Sequence, residues 1–327
     1  MNILITGIGG LIGSRMAKWI CENTEHTVIG IDDLSGGYIE NVHPKVIFFQ
    51  RNITSDDISD IFKQYRPDIV YHFAAYAAEG LSAFIRKFNY TNNLVGTCSI
   101  INNCIEFPVK RLIFTSSIAV YGLGHPPFNE NQTPSPIDPY GISKYACELD
   151  IKSAGDQFGL DWCIIRPHNL YGINQNIWDK YRNVLGIWMY QYINHEPFLI
   201  FGDGNQKRAF TFIDDCLEAF WNAAILDSAS KQIFNIGSDI AYSVNEANNI
   251  LNNIVGGWKV IHAEERHEVK NAFPNVNKAK LILNHNNKTS LQEGISKMWE
   301  WAKNQPQRDR SEWSKYELNK NLYKSWK

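Results

Sequence analysis

Tyr140 and Lys144 stand four residues apart in the run Pro139-Tyr140-Gly141-Ile142-Ser143-Lys144. On a helix that spacing places phenol and ammonium on one face, one turn from each other. A lysine held there keeps positive charge beside the phenol and favours its phenolate, which otherwise forms only near pH ~10. Ser117, just past a strand in Thr115-Ser116-Ser117, is set to hydrogen-bond the same substrate oxygen. The three describe an acid–base site with a lowered tyrosine pKa. The same Tyr-x-x-x-Lys spacing recurs at Tyr316/Lys320 and Tyr323/Lys327, so the surrounding elements must decide which pair matters.

Those elements begin at the N-terminus. Asn2–Thr6 reads as a short apolar strand running into Gly7-Ile-Gly9-Gly10-Leu11-Ile12-Gly13 and an amphipathic helix to about Cys21. Glycines at 7, 10 and 13 permit a tight turn and close approach of a phosphate, which the helix N-terminus attracts with free N–H groups. The next strand, 27–31, ends in Asp32-Asp33, roughly 20 residues on, where a carboxylate accepts hydrogen bonds from a ribose 2′-hydroxyl and repels a 2′-phosphate. That favours NAD over NADP, although Arg51 is a cation able to counter the repulsion. Further strands are expected at 46–50, 68–72, 111–114 and 160–166. Helices are expected at 55–65, 80–107 and 140–158. This alternation implies an α/β fold with a doubly wound parallel (Rossmann) sheet and ligands at the carboxyl ends of its strands. The glycine turn, Asp32, the small residues Phe73-Ala74-Ala75 and Ser117 all fall at such ends. His72 is expected to be a packed strand residue.

Regularity falls after Arg166, and the second half reads as a smaller mixed α/β substrate lobe. We expect residues 1–166 to form the NAD-binding domain, with 210–238 returning to it. The substrate lobe would comprise 167–209 and 239–305, followed by a tail, 306–327. In the lobe a helix is expected at 183–193, a strand at 198–201, and Asp214 as the cap of a helix to Leu226. Arg208 and Arg266 come from separate loops, as a diphosphate clamp would require. His262, His267, Glu264, Glu265 and Glu268 match no metal-ligand spacing and read as a solvated loop, so no metal is expected. The tail aromatics Trp313, Tyr316, Tyr323 and Trp326 are expected to pack on the body or a partner.

Bulk properties narrow the class. A chain of 327 residues with 44% hydrophobic and 20% charged residues and a formal charge of −2 gives no reason to expect nucleic acid or membrane binding. No apolar run approaches the ~18 residues of a membrane span. Six cysteines without a Cys-x-x-Cys pair read as free thiols, and the expected compartment is the cytoplasm.

With these residues in place the chain resembles the extended short-chain dehydrogenase/reductase family, and within it the nucleotide-sugar 4-epimerases of the UDP-galactose (UDP-glucose) 4-epimerase type. The resemblance rests on Thr6-Gly7-x-x-Gly10-x-x-Gly13, Asp32, Phe73-Ala74-Ala75, Thr115-Ser116-Ser117, Val120-Tyr121-Gly122, Tyr140-x-x-x-Lys144 and Arg166-Pro167-His168-Asn169. It implies a retained NAD. Tyr140 would take the proton of the sugar 4-hydroxyl while hydride leaves C4, and a 4-keto sugar would turn over before the hydride returns. Lys144 would lower the tyrosine pKa and hold the nicotinamide ribose.

The resemblance also places Gly7, Gly10, Leu11, Ile12, Gly13, Asp32, Asn52, Ile53, Phe73, Ala74, Ala75, Asn93, Thr115, Lys144, Pro167 and His168 against NAD. It places Ser117, Tyr140, Asn169, Asn183, Val184, Leu199, Phe201, Arg208, Arg266 and Glu268 around a nucleotide-diphosphate sugar, and it implies a homodimer through the helices near 80–107 and 140–158. Asn52 stands where the family usually has Asp, and Ala77 where close relatives carry Lys. Pro167-His168 replaces Tyr-Phe. Ala272 stands where a bulky residue restricts the sugar 2-substituent, which leaves room for an N-acetyl group and so for UDP-GlcNAc/GalNAc beside UDP-glucose/galactose. The rival readings are a 4-ketoreductase, a decarboxylase or a 4,6-dehydratase of the same superfamily. The dehydratases need an Asp-Glu pair where this chain has Ser116-Ser117. A non-catalytic NAD-sensing protein is the remote alternative.

Overall fold

A computed structural model describes residues 1–310, 313 and 315–326. Lys327, of the second tail Tyr/Lys pair, lies outside the described residues. Six strands open the chain: β1 Asn2–Thr6, β2 Thr27–Asp32, β3 Ile47–Gln50, β4 Ile69–His72, β5 Arg111–Thr115 and β6 Trp162–Pro167. With Gln232–Ile236 they form one seven-stranded sheet, ordered from that late strand through β6, β5, β4, β1 and β2 to β3, and every pairing is parallel. The sequence order reverses at β1 and β4, so the crevice between them opens at the strand ends where doubly wound sheets bind ligands.

The helices of this half are α1 Leu11–Asn23, α2 Ser59–Tyr65, α3 Glu79–Ser82, α4 Arg86–Tyr90, α5 Gly96–Glu106 and α6 Pro139–Phe158. Both faces of the sheet are covered, which is why its strands are almost continuously apolar. Ile3, Ile5, Tyr71 and Ile113 pack on one face with α1 and the helix Leu217–Ile225. Leu4, Val70, Leu112 and Phe114 pack on the other with α2, α5 and α6.

The smaller lobe has its own core around α7 (Val184–Ile193), the strand Phe198–Phe201 and the helices Val244–Ile254 and Leu291–Ala302. Short strands finish it. Lys207–Arg208 lies between Tyr242–Ser243 and Asn271–Ala272, and Phe198–Phe201 pairs with Val260–Ala263. Among the described residues no helix is long and apolar enough to cross a membrane.

Several local expectations are corrected. The single helix expected over 80–107 is broken into α3, α4, a π-helical turn Thr91–Val95 and α5. The π turn forms where side chains draw the backbone aside: Thr97 Oγ1 donates to the Asn93 carbonyl at 2.6 Å, and Asn93 is itself tied to the backbone of Tyr76. Helix α2 starts at Ser59 rather than 55, because Asp56 and Asp57 accept the N–H groups of Asn52 and Ser59 and hold a turn. Asp214 caps no helix. It forms a two-point ion pair with Arg15 of α1 at 2.8 and 2.7 Å, and a short 3₁₀ turn, Ile213–Cys216, precedes the Leu217–Ile225 helix.

Candidate active site

One continuous cavity runs between the sheet and the smaller lobe. Its floor begins at the β1–α1 turn. Gly7 has φ +71°, and a Cβ added there would lie 2.7 Å from the Ala74 nitrogen. A Cβ on Gly13 would strike the Gly7 carbonyl. Gly7 therefore lets the turn pass close against the segment after β4, and Gly13 lets α1 pack on the turn itself. Gly10 begins α1 with no side-chain cap, so the first-turn N–H groups stay free for an anionic ligand. Asp32, at the end of β2, accepts from Gly9 N and Leu34 N, both at 2.8 Å. Burial pushes its pKa up while those N–H groups pull it down. Each oxygen keeps a lone pair for a ribose hydroxyl. Glycine cradle, open helix end and carboxylate together fit the adenosine half of a dinucleotide.

The next stretch of wall carries the acid–base set. Asp138 Oδ1 accepts from Gly141 N at 2.9 Å and caps α6, with Pro139 at its first position. That cap aims Tyr140 and Lys144 into the cavity one turn apart, both lining it with Thr115 and Ser117. Lys144 Nζ donates to the Thr115 carbonyl at 2.9 Å and lies 4.8 Å from the centre of the Phe114 ring. Burial lowers its pKa to about 8. For Tyr140 the expected effect of Lys144 is not what the structure shows. Burial pushes the phenol well above its usual range. Ser117 is the main influence pulling it back, Glu79 and Asp138 raise it further, and Arg182 lowers it. Lys144 is not among the leading influences on the phenol; its ammonium is held at the Thr115 carbonyl. Behind this wall Ser116 Oγ donates to Glu148 at 2.5 Å, and Arg166 holds the same carboxylate at 2.8 and 2.6 Å, all buried.

The opposite end of the cavity belongs to the smaller lobe. Arg208 and Arg266 share Glu268, at 3.0 and 3.6 Å, and the Arg266 guanidinium lies 4.1 Å from the centre of the Phe201 ring. Asn169, Asn183, Val184 and Leu199 complete that wall. Asn183 Oδ1 caps α7 and its amide donates to the Leu170 carbonyl, so its side chain is occupied structurally. Asn169 Nδ2, Arg266 Nε and Thr115 Oγ1 are buried without a hydrogen-bond partner among the described residues, as groups reserved for a ligand would be.

Gly7, Gly10, Leu11, Ile12, Gly13, Asp32, Asn52, Ile53, Phe73, Ala74, Ala75, Thr115 and Pro167 all line this cavity, as do the ten residues expected around the sugar nucleotide. Two expected residues stand behind the wall. Asn93 is buried, its carbonyl oxygen accepting from Tyr76 N and its amide donating to the Tyr76 carbonyl and Asn89; it shapes the loop after β4. His168 is fully buried, with burial holding its pKa near 3. His72 is a packed strand residue, bonded to Thr6 Oγ1 at 2.7 Å and Thr97 Oγ1 at 3.0 Å.

Glu79, Asp138 and Arg182 also line the cavity, and the sequence reading missed them. The Asp-Pro pair at the start of α6 was a legible cap signal for Asp138. Glu79 and Arg182 had no local signal. Arg182 pairs with Asp179 at 3.0 Å, stacks 4.5 Å from the centre of the Tyr76 ring and fills the space over Gly36.

Residues 3–237 match the NAD dependent epimerase/dehydratase family. The chain belongs to that family. It is 31% identical over 306 residues to a putative UDP-glucose 4-epimerase of Methanocaldococcus jannaschii, covering 92% of this chain and 98% of that protein. Among solved structures it is similar to the UDP-glucose 4-epimerase of Thermotoga maritima with UDP-glucose, with a TM-score of 0.87, 30% identity, and coverage of 92% and 98% of the two chains. It is also similar to the UDP-glucuronic acid 4-epimerase of Bacillus cereus in complex with UDP-glucuronic acid and NAD, with a TM-score of 0.85, 26% identity, and coverage of 93% and 99%.

Proposed function

We propose that this protein is an NAD-dependent nucleotide-sugar 4-epimerase that inverts C4 of a UDP-hexose (UDP-glucose/galactose or UDP-GlcNAc/GalNAc) through a transient 4-keto sugar. The observation that carries the reading is the order along one cavity: dinucleotide cradle, then Tyr140, Ser117 and Lys144, then the Arg208/Arg266 pair. NAD, when bound, supplies a reversible hydride acceptor. Tyr140 removes the 4-hydroxyl proton and later returns it. Ser117, beside the phenol, holds the reacting oxygen, and Lys144 supplies positive charge and anchors α6 to β5. Arg208 and Arg266 bind the diphosphate and leave the sugar to present either face of C4. Ser116, where a dehydratase would need an acid, is turned away to Glu148.

Burial holds the phenol of the free site protonated, so Tyr140 must first lose that proton to solvent before it can take the proton of the 4-hydroxyl. Its elevated pKa makes the phenolate a stronger base and the phenol a weaker acid, so the return of the proton to the 4-oxygen is the harder half of the exchange.

We place the enzyme in the cytoplasm as a homodimer. All six cysteines are free, as in a reducing compartment. Val95, Ile142 and Leu149 are 50, 40 and 50% exposed on the π turn and α6, an apolar face that a second copy would cover. Replacing Tyr140 by Phe should abolish turnover while the protein retains NAD; full activity in that variant would remove Tyr140 from this role.

A further inference from the structure

A sugar whose diphosphate is held by Arg208 and Arg266 and whose C4 lies at Tyr140 must occupy the wall between them. That stretch is α3. A Cβ placed on Gly80 would lie 3.6 Å from Arg266 Nη1. At the other end Ser82 Oγ reaches Asp138 Oδ1 at 3.4 Å, beside the start of the helix that carries Tyr140. Glu79 is the first residue of this turn and is open to the cavity. Its carboxylate makes no hydrogen bond or ion pair with any described residue.

Charge balance shows what such a group would meet. The two guanidinium groups of Arg208 and Arg266 already share Glu268, and a bound diphosphate brings two more negative charges to them. Of the other cations lining the cavity, Arg182 is paired with Asp179 at 3.0 Å, while Lys144 and Arg51 keep their charge and are held at the Thr115 carbonyl at 2.9 Å and the Gln50 carbonyl at 3.2 Å. His267 lies close enough to Asp138 to stabilise its carboxylate. The charges that act most on Glu79 are Asp138, Arg208, Glu268 and Arg266, and the two arginines are already shared between Glu268 and the diphosphate. Hydroxyls, by contrast, are donors that an unpaired carboxylate accepts.

We infer that Glu79 is a specificity-determining residue of the sugar subsite, accepting hydroxyl hydrogen bonds from a neutral hexose and rejecting a hexuronate by like-charge repulsion, with Asp138 beside it. The inference rests on the epimerase reading and narrows its substrate class. It separates this chain from its relative solved with UDP-glucuronic acid. Discrimination of this kind comes from a repulsive element against the wrong ligand, which costs the right one nothing. The carboxylate is also sensitive to its surroundings. Burial, then Asp138, raises the Glu79 pKa to about 7, while Arg208 and Arg266 oppose the rise, so the carboxylate repels an anion fully only above that pH and the assays are read at pH 8.

The test uses the full-length protein with its retained cofactor, assayed on UDP-glucose/UDP-galactose and on UDP-glucuronate/UDP-galacturonate. The wild type should prefer the hexose pair. Glu79→Gln should raise the uronate-to-hexose ratio of kcat/KM by roughly tenfold or more, and Glu79→Ala should do the same should the amide variant fold poorly. A wild type that takes both pairs equally, or a ratio unchanged in the variants, overturns the inference alone. A wild type inert on every UDP-sugar pair overturns the epimerase reading, and this inference with it.

Discussion

Lys144 Nζ donates to the backbone carbonyl of Thr115 at 2.9 Å, tying the helix that carries Tyr140 to the strand end that carries Ser117. The amine can donate that bond in either protonation state, but only the ammonium brings positive charge to the site, and burial lowers the Lys144 pKa to about 8. Below that pH the ammonium is charged; above it the charge is lost. The pH profile of kcat should therefore fall on the alkaline side near pH 8, and Lys144→Met should be nearly inactive at every pH. A wild-type profile flat from pH 7 to 10 would separate Lys144 from the rate.

The Arg166–Glu148 pair is buried on both sides and also holds Ser116. Removing one partner leaves an uncompensated charge beneath the catalytic wall. Glu148→Ala should lose about 3–5 kcal/mol of stability, read as a lower denaturant midpoint. A loss under about 1 kcal/mol, as for an exposed pair, would show that water enters behind α6.

Acid should destabilise the fold through its buried histidines. Burial lowers the pKa of both His72 and His168 to about 3. Between about pH 6.5 and 3 the unfolded chain binds protons that the folded chain does not, so stability falls as pH falls through that window. Each such group contributes about 1.4 kcal/mol per pH unit. His168→Gln should flatten the dependence of unfolding midpoint on pH between 6 and 4. An unchanged slope would mean that His168 is protonated in the folded protein.

How much of this was legible in the sequence follows from the range of the interactions. The glycine turn, Asp32 and the Tyr140/Lys144 spacing are local patterns whose geometry is fixed within a strand, a turn or one helical turn. The break at Thr91–Val95 was not legible, because its cause is the fit of Asn93 to Tyr76 across the loop after β4. Asp214 reads as a cap until Arg15, 199 residues away, claims it. Glu79 is one acid among many until folding sets it between Arg266 and Asp138. The tail carries no pattern, since its aromatics act only through what they touch.

What they touch is the site's rim. Tyr323 Oη accepts from the backbone N–H of His267 at 3.0 Å, and Trp326 packs on Phe84, Tyr181 and Tyr323. The tail thus supports the loop bearing Arg266. Trp326→Ala should raise KM for the sugar nucleotide several-fold with kcat nearly kept, the pattern of lost ground-state binding. A lower kcat at unchanged KM would place the tail's effect in the chemical step instead.

The most direct test of the central claim is turnover by the purified protein with no cofactor added. An epimerase that retains NAD returns each hydride to the sugar it came from, so UDP-glucose and UDP-galactose, or their N-acetylated counterparts, should interconvert to equilibrium with no net change in nicotinamide absorbance. Product that forms only as added NADH or NADPH is consumed in equal amount would contradict the account and identify a 4-ketoreductase.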